Sequence, residues 1–284
     1  MSRRGAENSP PAGGSLCCPV CGQPLKLRGG SMVCGKGHSY DIAREGYVNL
    51  LMSNQSSARR HGDDRLMVEA RKYFLDEGHY KPIADALFEM LHPFAENGCI
   101  VLDSGCGDGW YSAALIRCLA ENGVTPEYIG IDISKAALKT ASRRGADMTL
   151  AVASAYKLPV AAGSCDIILS IFAPIAAEEF RRAFGKGGML FTVTAGPRHL
   201  YGLKELLYDK PYENEPDSGR LPGFALREDR SVDFMLTLTG DSIERLFMMT
   251  PYYYKTSRED QGKLDGVHSL TTEISAKIRR YEAV

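Results

Sequence analysis

An α/β fold, with helices on both faces of a mainly parallel sheet and a small metal-stapled β-rich module ahead of it, is predicted by three features of this sequence. From Gly98 onward, short β-branched runs alternate with segments of helical length. The first run leads directly into a glycine-rich loop. Near the amino terminus, cysteines and a histidine gather in a stretch with little apolar content.

At 284 residues the chain has room for one large domain or two modest ones. Its formal net charge of -1 gives no global basic field, so a nucleic-acid partner would have to be held by local patches. There is no signal-peptide core, and no run approaches the roughly 20 apolar residues of a membrane span. A reducing, cytoplasmic location without a membrane partner is expected. There the eight cysteines serve as thiols or metal ligands more readily than as disulfides.

Residues 1–16, rich in Pro, Gly and Ser, read as a disordered tail. Residues 17–50 are too few and too polar to fold around a core of their own, so they need a staple. Residues 51–94 read as a linker and two helices. In that part "MSNQSSARRHGDD", from Met52 to Asp64, is the exposed linker. Leu66, Met67, Ala70, Phe74 and Leu75 recur at helical spacing, as do Ile83, Leu87, Met90 and Leu91. Residues 95–284 form the sheet domain. Its strands are "CIVLDSGCG", "EYIGIDIS", "MTLAVASA", "CDIILSIFAP" and "GMLFTVTAG", with helices such as "WYSAALIRCLAENG" and "KAALKTASRRG" between them. Strands alternating with helices make a parallel sheet covered on both sides. "VDFMLTLTG", "DSIERLFMMT" and "SLTTEISAKIRRYE" add a late helix and an antiparallel edge hairpin.

The amino-terminal cluster is spaced Cys18-x2-Cys21, twelve residues, then Cys34-x3-His38. Two thiolates two residues apart chelate one ion from a tight knuckle, and the second pair closes the tetrahedron that zinc accepts from sulfur and nitrogen. "GGSM" between the pairs suits a hairpin turn, and Cys17 is an alternative to Cys18 at the price of a wider first pair. Four protein ligands leave no position for water, so the zinc is structural and replaces the missing core.

In "VLDSGCGDGWYS", Gly105 and Gly107 let the backbone turn sharply and approach a ligand, while Asp108 and Gly109 lead into a helix. Trp110 stands where a dinucleotide fingerprint would place its third glycine, which disfavours NAD. The pattern Asp103-x-Gly105-x-Gly107-x-Gly109 resembles motif I of class I (Rossmann-like) methyltransferases, whose loop backbone receives the methionine portion of S-adenosylmethionine. Asp132, ending the second strand, is placed to accept from ribose hydroxyls. Ala153 and Ser154, in "VASAYKLP", fit the segment that borders adenine. Cys106 reads as a small packing residue.

Zinc pattern, linker and loop together resemble the bacterial 23S rRNA guanine-N1 methyltransferase family. The resembling stretches are Cys18 to His38, "EGYVNLL", "FLDEGHYKPI", "LDSGCGDGWY", "FAP" at 172–174 and "GPRHLYGLKELLY". The resemblance implies methyl transfer from S-adenosylmethionine to N1 of one guanine in a 23S rRNA hairpin near the macrolide site of the peptide tunnel. It makes Cys18, Cys21, Cys34 and His38 zinc ligands and places Tyr80, Gly107, Asp108 and His199 against the methyl donor. It also leaves room for a homodimer. Alternative readings are a methyltransferase with another RNA or a small-molecule acceptor, and a non-catalytic zinc-containing adaptor for rRNA or protein.

For RNA, Arg59, Arg60 and His61 in the linker, and Lys26, Arg28 and Lys36 in the zinc module, are candidate phosphate contacts. Trp110, Tyr111, Phe172 and the "PYYY" aromatics are candidate stacking surfaces for an unstacked base. Guanine N1 carries a ring proton, so either a base removes it or a donor to O6 favours its loss. Glu178, Glu179, Arg198 and His199 lie near the right strand ends, and none is singled out for that task.

Overall fold

A computed structural model describes residues 15–52 and 62–284. The chain starts with a three-stranded antiparallel sheet of β1 (Leu25–Arg28), β2 (Ser31–Cys34) and β3 (Ser39–Asp41). Gly29 and Gly30 join the first two strands with φ of +54° and +87°. Left-handed conformation at both central residues gives a two-residue turn whose twist matches its strands.

The following strand, β4 (Tyr47–Asn49), belongs to a different sheet. It pairs in parallel with β7 (Thr149–Val152) at one edge of an eight-stranded sheet. The rest of that sheet comprises β5 (Ile100–Ser104), β6 (Glu127–Asp132), β8 (Cys165–Ile171), β9 (Phe184–Ala195), β10 (Phe224–Thr239) and β11 (Ser269–Ala283). Strand order is β10-β11-β9-β8-β5-β6-β7-β4. Pairing is parallel from β4 to β9 and antiparallel for β9–β11 and β11–β10.

The expected α/β class I architecture is the one observed. β7 and β8 are buried along nearly their whole length, because helices cover both faces. β10 starts eight residues earlier than its apolar stretch suggests, since "FALREDRS" is already strand. It alternates half-buried and exposed positions on the outermost strand, where charged side chains meet water.

Helices α1 (Arg65–Asp76) and α2 (Lys81–Leu91) pack ahead of the sheet. Asp64 caps α1 by accepting from Met67 N at 3.0 Å. α3 (Trp110–Glu121), α4 (Lys135–Ala141) and α5 (Ala177–Ala183) are the crossovers, followed by α6 (Tyr201–Leu207), α7 (Asp241–Met248) and α8 (Arg258–Gly262). Among the described residues no helix is long and apolar enough to cross a membrane.

The small sheet does not stand apart. Leu16, Leu25 and Met32 are fully buried in one apolar cluster with Leu158, Val160, Ile168 and Phe180 of the large domain. Leu16 bridges Val160, Cys17 N donates to Pro159 O at 2.7 Å, and Arg182 donates to the carbonyls of Leu158 and Val160. The amino-terminal segment thus completes its core on the face of the sheet as well as around its cysteines.

Candidate active site

The parallel strands β5 to β9 end on one edge, so the residues that follow them converge there: the glycine loop, Asp132, Ala153, Phe172 and His199. Because β6 and β7 lie to one side of β5 and β8 and β9 to the other, strand order reverses beside β5. Ligands of open α/β sheets bind at such switch points, beyond the carboxyl ends of the strands.

The loop is tied to its neighbours. Gly105 N and Cys106 N both donate to Ile131 O at 2.9 Å, and Gly107 N donates to Asp132 Oδ2 at 2.9 Å. Asp132 Oδ1 accepts from Ser134 N at 2.7 Å. Each oxygen keeps a second lone pair for a hydroxyl ligand. Burial raises the Asp132 carboxyl above its ordinary range, against the effect of these two N–H donors. Gly105, at φ +85°, faces the turn after β8 so closely that a Cβ would stand 2.6 Å from Ala173 Cβ. Gly107, at φ +56°, is uncrowded: among the described residues the one atom within 4 Å of a Cβ there is Arg71 Nη1, at 3.9 Å. The loop therefore offers bare backbone to a ligand.

Asp103 and Asp108 lie beneath this surface. Asp103 is 1% exposed and accepts from Ser112 Oγ at 2.6 Å, and burial pushes it up to about 7. Asp108 pairs with Arg144, which also donates to Asp108 O at 2.7 Å and to Asp76 at 2.8 Å. Ala153 N donates to Asp132 O at 3.0 Å, so Ala153 and Ser154 directly adjoin the acid. Cys106 is buried against Leu138, Ala141, Leu150 and Val152, in keeping with a packing residue.

Across the loop, Tyr80 and His199 meet at 3.2 Å, Oη to Nε2. His199 Nδ1 accepts from Ser275 N at 3.2 Å. A ring nitrogen that accepts an amide proton carries none itself, so the imidazole is neutral with its hydrogen on Nε2, which donates to Tyr80 Oη. Burial, reinforced by the nearby Lys204 ammonium, lowers the His199 pKa to about 4.

Phe172 stacks on His199 with ring centroids 5.8 Å apart and planes at 28°, and it also touches Tyr80 and Tyr111. Its backbone is left-handed, with φ +50°, and its side chain is 40% exposed. A bulky residue in that conformation is strained by about 1–3 kcal/mol. Of the other aromatic candidates, Trp110 packs edge-on against Tyr111 at 5.0 Å and Tyr253 against Phe247 at 5.5 Å.

Two of the four candidates for the proton step lie elsewhere or are engaged. Glu179 holds Arg182 and accepts from Leu158 N where the small sheet docks, and Arg198 pairs with Glu213 and Glu273. Glu178 is exposed on the first turn of α5.

At the small sheet, Cys18, Cys21, Cys34 and His38 bring their ligand atoms within 4.8 Å of one another. Cys21 Sγ is 3.6 Å from Cys34 Sγ, and His38 Nδ1 lies 3.3 Å from Cys34 Sγ and 3.5 Å from Cys18 Sγ. A zinc ion with ordinary bond lengths needs tetrahedral edges of about 3.8 Å between sulfurs and about 3.5 Å from sulfur to nitrogen, so this donor set fits it. Tyr40 Oη, 3.1 Å from Cys18 Sγ, supplies an outer hydrogen bond to the thiolate. Cys17 instead turns into the contact with Pro159. Lys26, Arg28 and Lys36 are exposed on this module, whereas Arg59, Arg60 and His61 lie outside the described residues.

Sequence reasoning missed Arg71, which stands over Gly107. The available signal was its place on α1, four residues after Met67 and four before Leu75, both buried: a charge on an apolar stripe.

Residues 16–59 match the family model described as "RlmA, N-terminal", a zinc ribbon, and residues 101–187 match the model described as "Methyltransferase domain". The chain is 31% identical over 277 residues to a 23S rRNA (guanine(748)-N(1))-methyltransferase of Streptomyces fradiae, covering 93% of this chain and 96% of the relative. It is 30% identical over 271 residues to a putative 23S rRNA (guanine-N(1)-)-methyltransferase of Bacillus subtilis, covering 92% and 94%. A third relative, from Micromonospora griseorubida and described in the same terms, is 35% identical over 212 residues, covering 68% and 69%. With the zinc-ribbon donor set and the glycine loop on one chain, and this identity sustained over its length, the chain belongs to the 23S rRNA (guanine-N1-)-methyltransferase family.

Proposed function

We propose that this protein transfers the methyl group of S-adenosylmethionine to N1 of one guanine in a hairpin of 23S rRNA, in the cytoplasm, near the macrolide site of the peptide tunnel. The observation that carries the reading is Phe172: a strained, half-exposed aromatic ring at the end of β8, whose neighbour Ala173 abuts the glycine loop. A flipped base stacked on that ring would sit beside the donor, and stacking of this kind contributes about 1–3 kcal/mol per base.

The donor lies over Gly105 and Gly107, with its ribose on Asp132 and its adenine beside Ala153 and Ser154. Tyr80 and His199 close the methionine side. Asp103 and Asp108 act from below, holding the loop through Ser112 and Arg144. Bound there, S-adenosylmethionine supplies an electrophilic methyl group on a sulfonium. His199 is not the acceptor of the N1 proton, because Nδ1 is occupied by Ser275 N and Nε2 already carries a hydrogen. The zinc module, docked through Cys17 and Leu16 beside the adenine segment, presents Lys26, Arg28 and Lys36 to the RNA backbone.

The test is methylation of unmodified 23S rRNA with radiolabelled donor, mapped by reverse-transcription stop. A single stop at one guanine is the expected result. Label appearing only in another RNA or a small molecule identifies a different acceptor, and donor binding without label on any acceptor identifies an adaptor.

A further inference from the structure

Arg71 and Asp63 form an ion pair at the mouth of the glycine loop. Arg71 Nη2 also donates to Met249 O at 3.0 Å, just past the carboxyl end of α7, where a cation is favoured. Asp63 is anchored independently, since its carbonyl accepts from Ser134 Oγ at 2.7 Å, two residues beyond Asp132. The pair is thus held from both sides of the cleft, by α1 and α7 on one and by the β6–α4 turn on the other.

Beside this pair converge two hydroxyl donors that have no acceptor among the described residues. Among the described residues Nη1 of Arg71 is the group nearest the place a Cβ would take on Gly107. The Tyr80 hydroxyl receives the His199 hydrogen, and among the described residues its own proton has no acceptor. The Tyr111 hydroxyl is buried with no partner among the described residues. Tyr80 and Tyr111 both pack on Phe172, whose neighbour Ala173 abuts Gly105, while Arg71 faces Gly107, whose N–H is held by Asp132, so these groups gather around the glycine loop.

Two hydroxyl donors beside a guanidinium suit a ligand carboxylate, and Asp63, which meets Arg71 through Oδ2, has Oδ1 left to receive a ligand cation. An α-amino acid carries both charged groups on a single carbon. We propose that the Arg71–Asp63 pair recognises the amino-acid end of the methyl donor as a zwitterion, its carboxylate on Arg71 with Tyr80 and Tyr111, its ammonium on Asp63. This assignment rests on the donor reading above and adds the residues that tell the amino-acid end from the nucleoside end. An arginine suits the task better than a lysine, because its planar fork binds a carboxylate through two bonds while still holding Met249 O.

Calorimetry on the full chain with two probes tests it. S-adenosylhomocysteine carries the amino-acid end, while 5′-methylthioadenosine shares the nucleoside and thioether and lacks that end. Arg71→Gln and Asp63→Asn are each expected to weaken S-adenosylhomocysteine by about 10-fold to 150-fold, the loss of one charge-assisted contact, with 5′-methylthioadenosine unchanged. Arg71→Lys should fall between wild type and Arg71→Gln. Retained 5′-methylthioadenosine binding also reports that each variant is folded. Equal losses for both probes would make the pair a purely structural tie and overturn the proposal, as would an unchanged affinity for S-adenosylhomocysteine. Tighter binding by Asp63→Asn would overturn it too, by showing that Asp63 competes with the donor. A wild-type chain that binds neither probe would overturn the donor reading itself, an outcome distinct from all of these.

Discussion

Tyr80 and His199, 119 positions apart in the chain, share a buried hydrogen bond of 3.2 Å whose direction is set by a third residue, the Ser275 amide. The bond joins the start of α2 to the turn after β9, so the wall of the site opposite the glycine loop is built from two distant segments. It also fixes the imidazole in one tautomer, and that has a measurable signature.

His199 should stay neutral to well below the ordinary histidine range. Its folded pKa of about 4 lies below the 6.5 of a free side chain. The folded state therefore favours the neutral form, and the resulting stability is present above pH 6.5 and lost as pH falls through 4. The difference is worth about 3 kcal/mol at most. Nitrogen-15 NMR should show a neutral ring with its hydrogen on Nε2 down to about pH 5, and in urea denaturation His199→Asn should flatten the acid limb of stability. A ring that titrates near 6.5 would refute the tautomer assignment.

Asp132→Ala should weaken donor binding by about 1.5–3 kcal/mol, roughly 10-fold to 150-fold, through loss of charge-assisted bonds to ribose. Because the Asp132 carboxylate also fixes Gly107 N and Ser134 N, Asp132→Asn, which keeps one acceptor, should lose less. Calorimetry with S-adenosylhomocysteine decides this, and equal affinities in wild type and Asp132→Ala would remove Asp132 from the site.

Phe172 should exchange stability for activity. Phe172→Gly relieves the left-handed backbone at φ +50° and should raise stability or leave it unchanged, after the stacking on His199 is given up. The same change should lower kcat/KM on rRNA by about 10-fold or more through lost base stacking, with donor affinity near wild type. Phe172→Trp should retain activity. An active Phe172→Gly enzyme would show that the ring does not receive the base.

Purified protein should hold one zinc per chain, and Cys21→Ser should release it. Because Leu16, Leu25 and Met32 share a core cluster with the sheet, the loss should reach beyond the module. Hydrogen exchange should quicken from residue 15 to residue 50 and in the Leu158–Val160 contact, and Tm should fall by about 5 °C or more. A metal-free chain with native exchange rates would contradict the staple.

Much of the architecture was legible in the sequence because it is written in local pattern. Strands buried on both faces must be continuous apolar runs, so β5 to β9 announce themselves, and a parallel sheet follows from the helices between them. Metal chelation from a knuckle is also local, since Cys18 and Cys21, only three residues apart, can reach one ion. The sequence by itself therefore determined the fold class, the Cys18–Cys21–Cys34–His38 set as a candidate zinc site, and the family resemblance.

Tertiary structure alone decided how these parts meet. Pattern reports which face of an element is buried and is silent about its neighbour, so the apolar stripe of α1 marks Arg71 as inward-facing and says nothing of Gly107, which it meets. β4, three residues long, is too short for any period, and its place beside β7 depends on pairing across more than a hundred residues. The left-handed backbone of Phe172 arises because its N–H is drawn to Val193 O at 2.8 Å while its ring packs on His199. Both are contacts between segments far apart in sequence, and their energies exist only once the chain has folded.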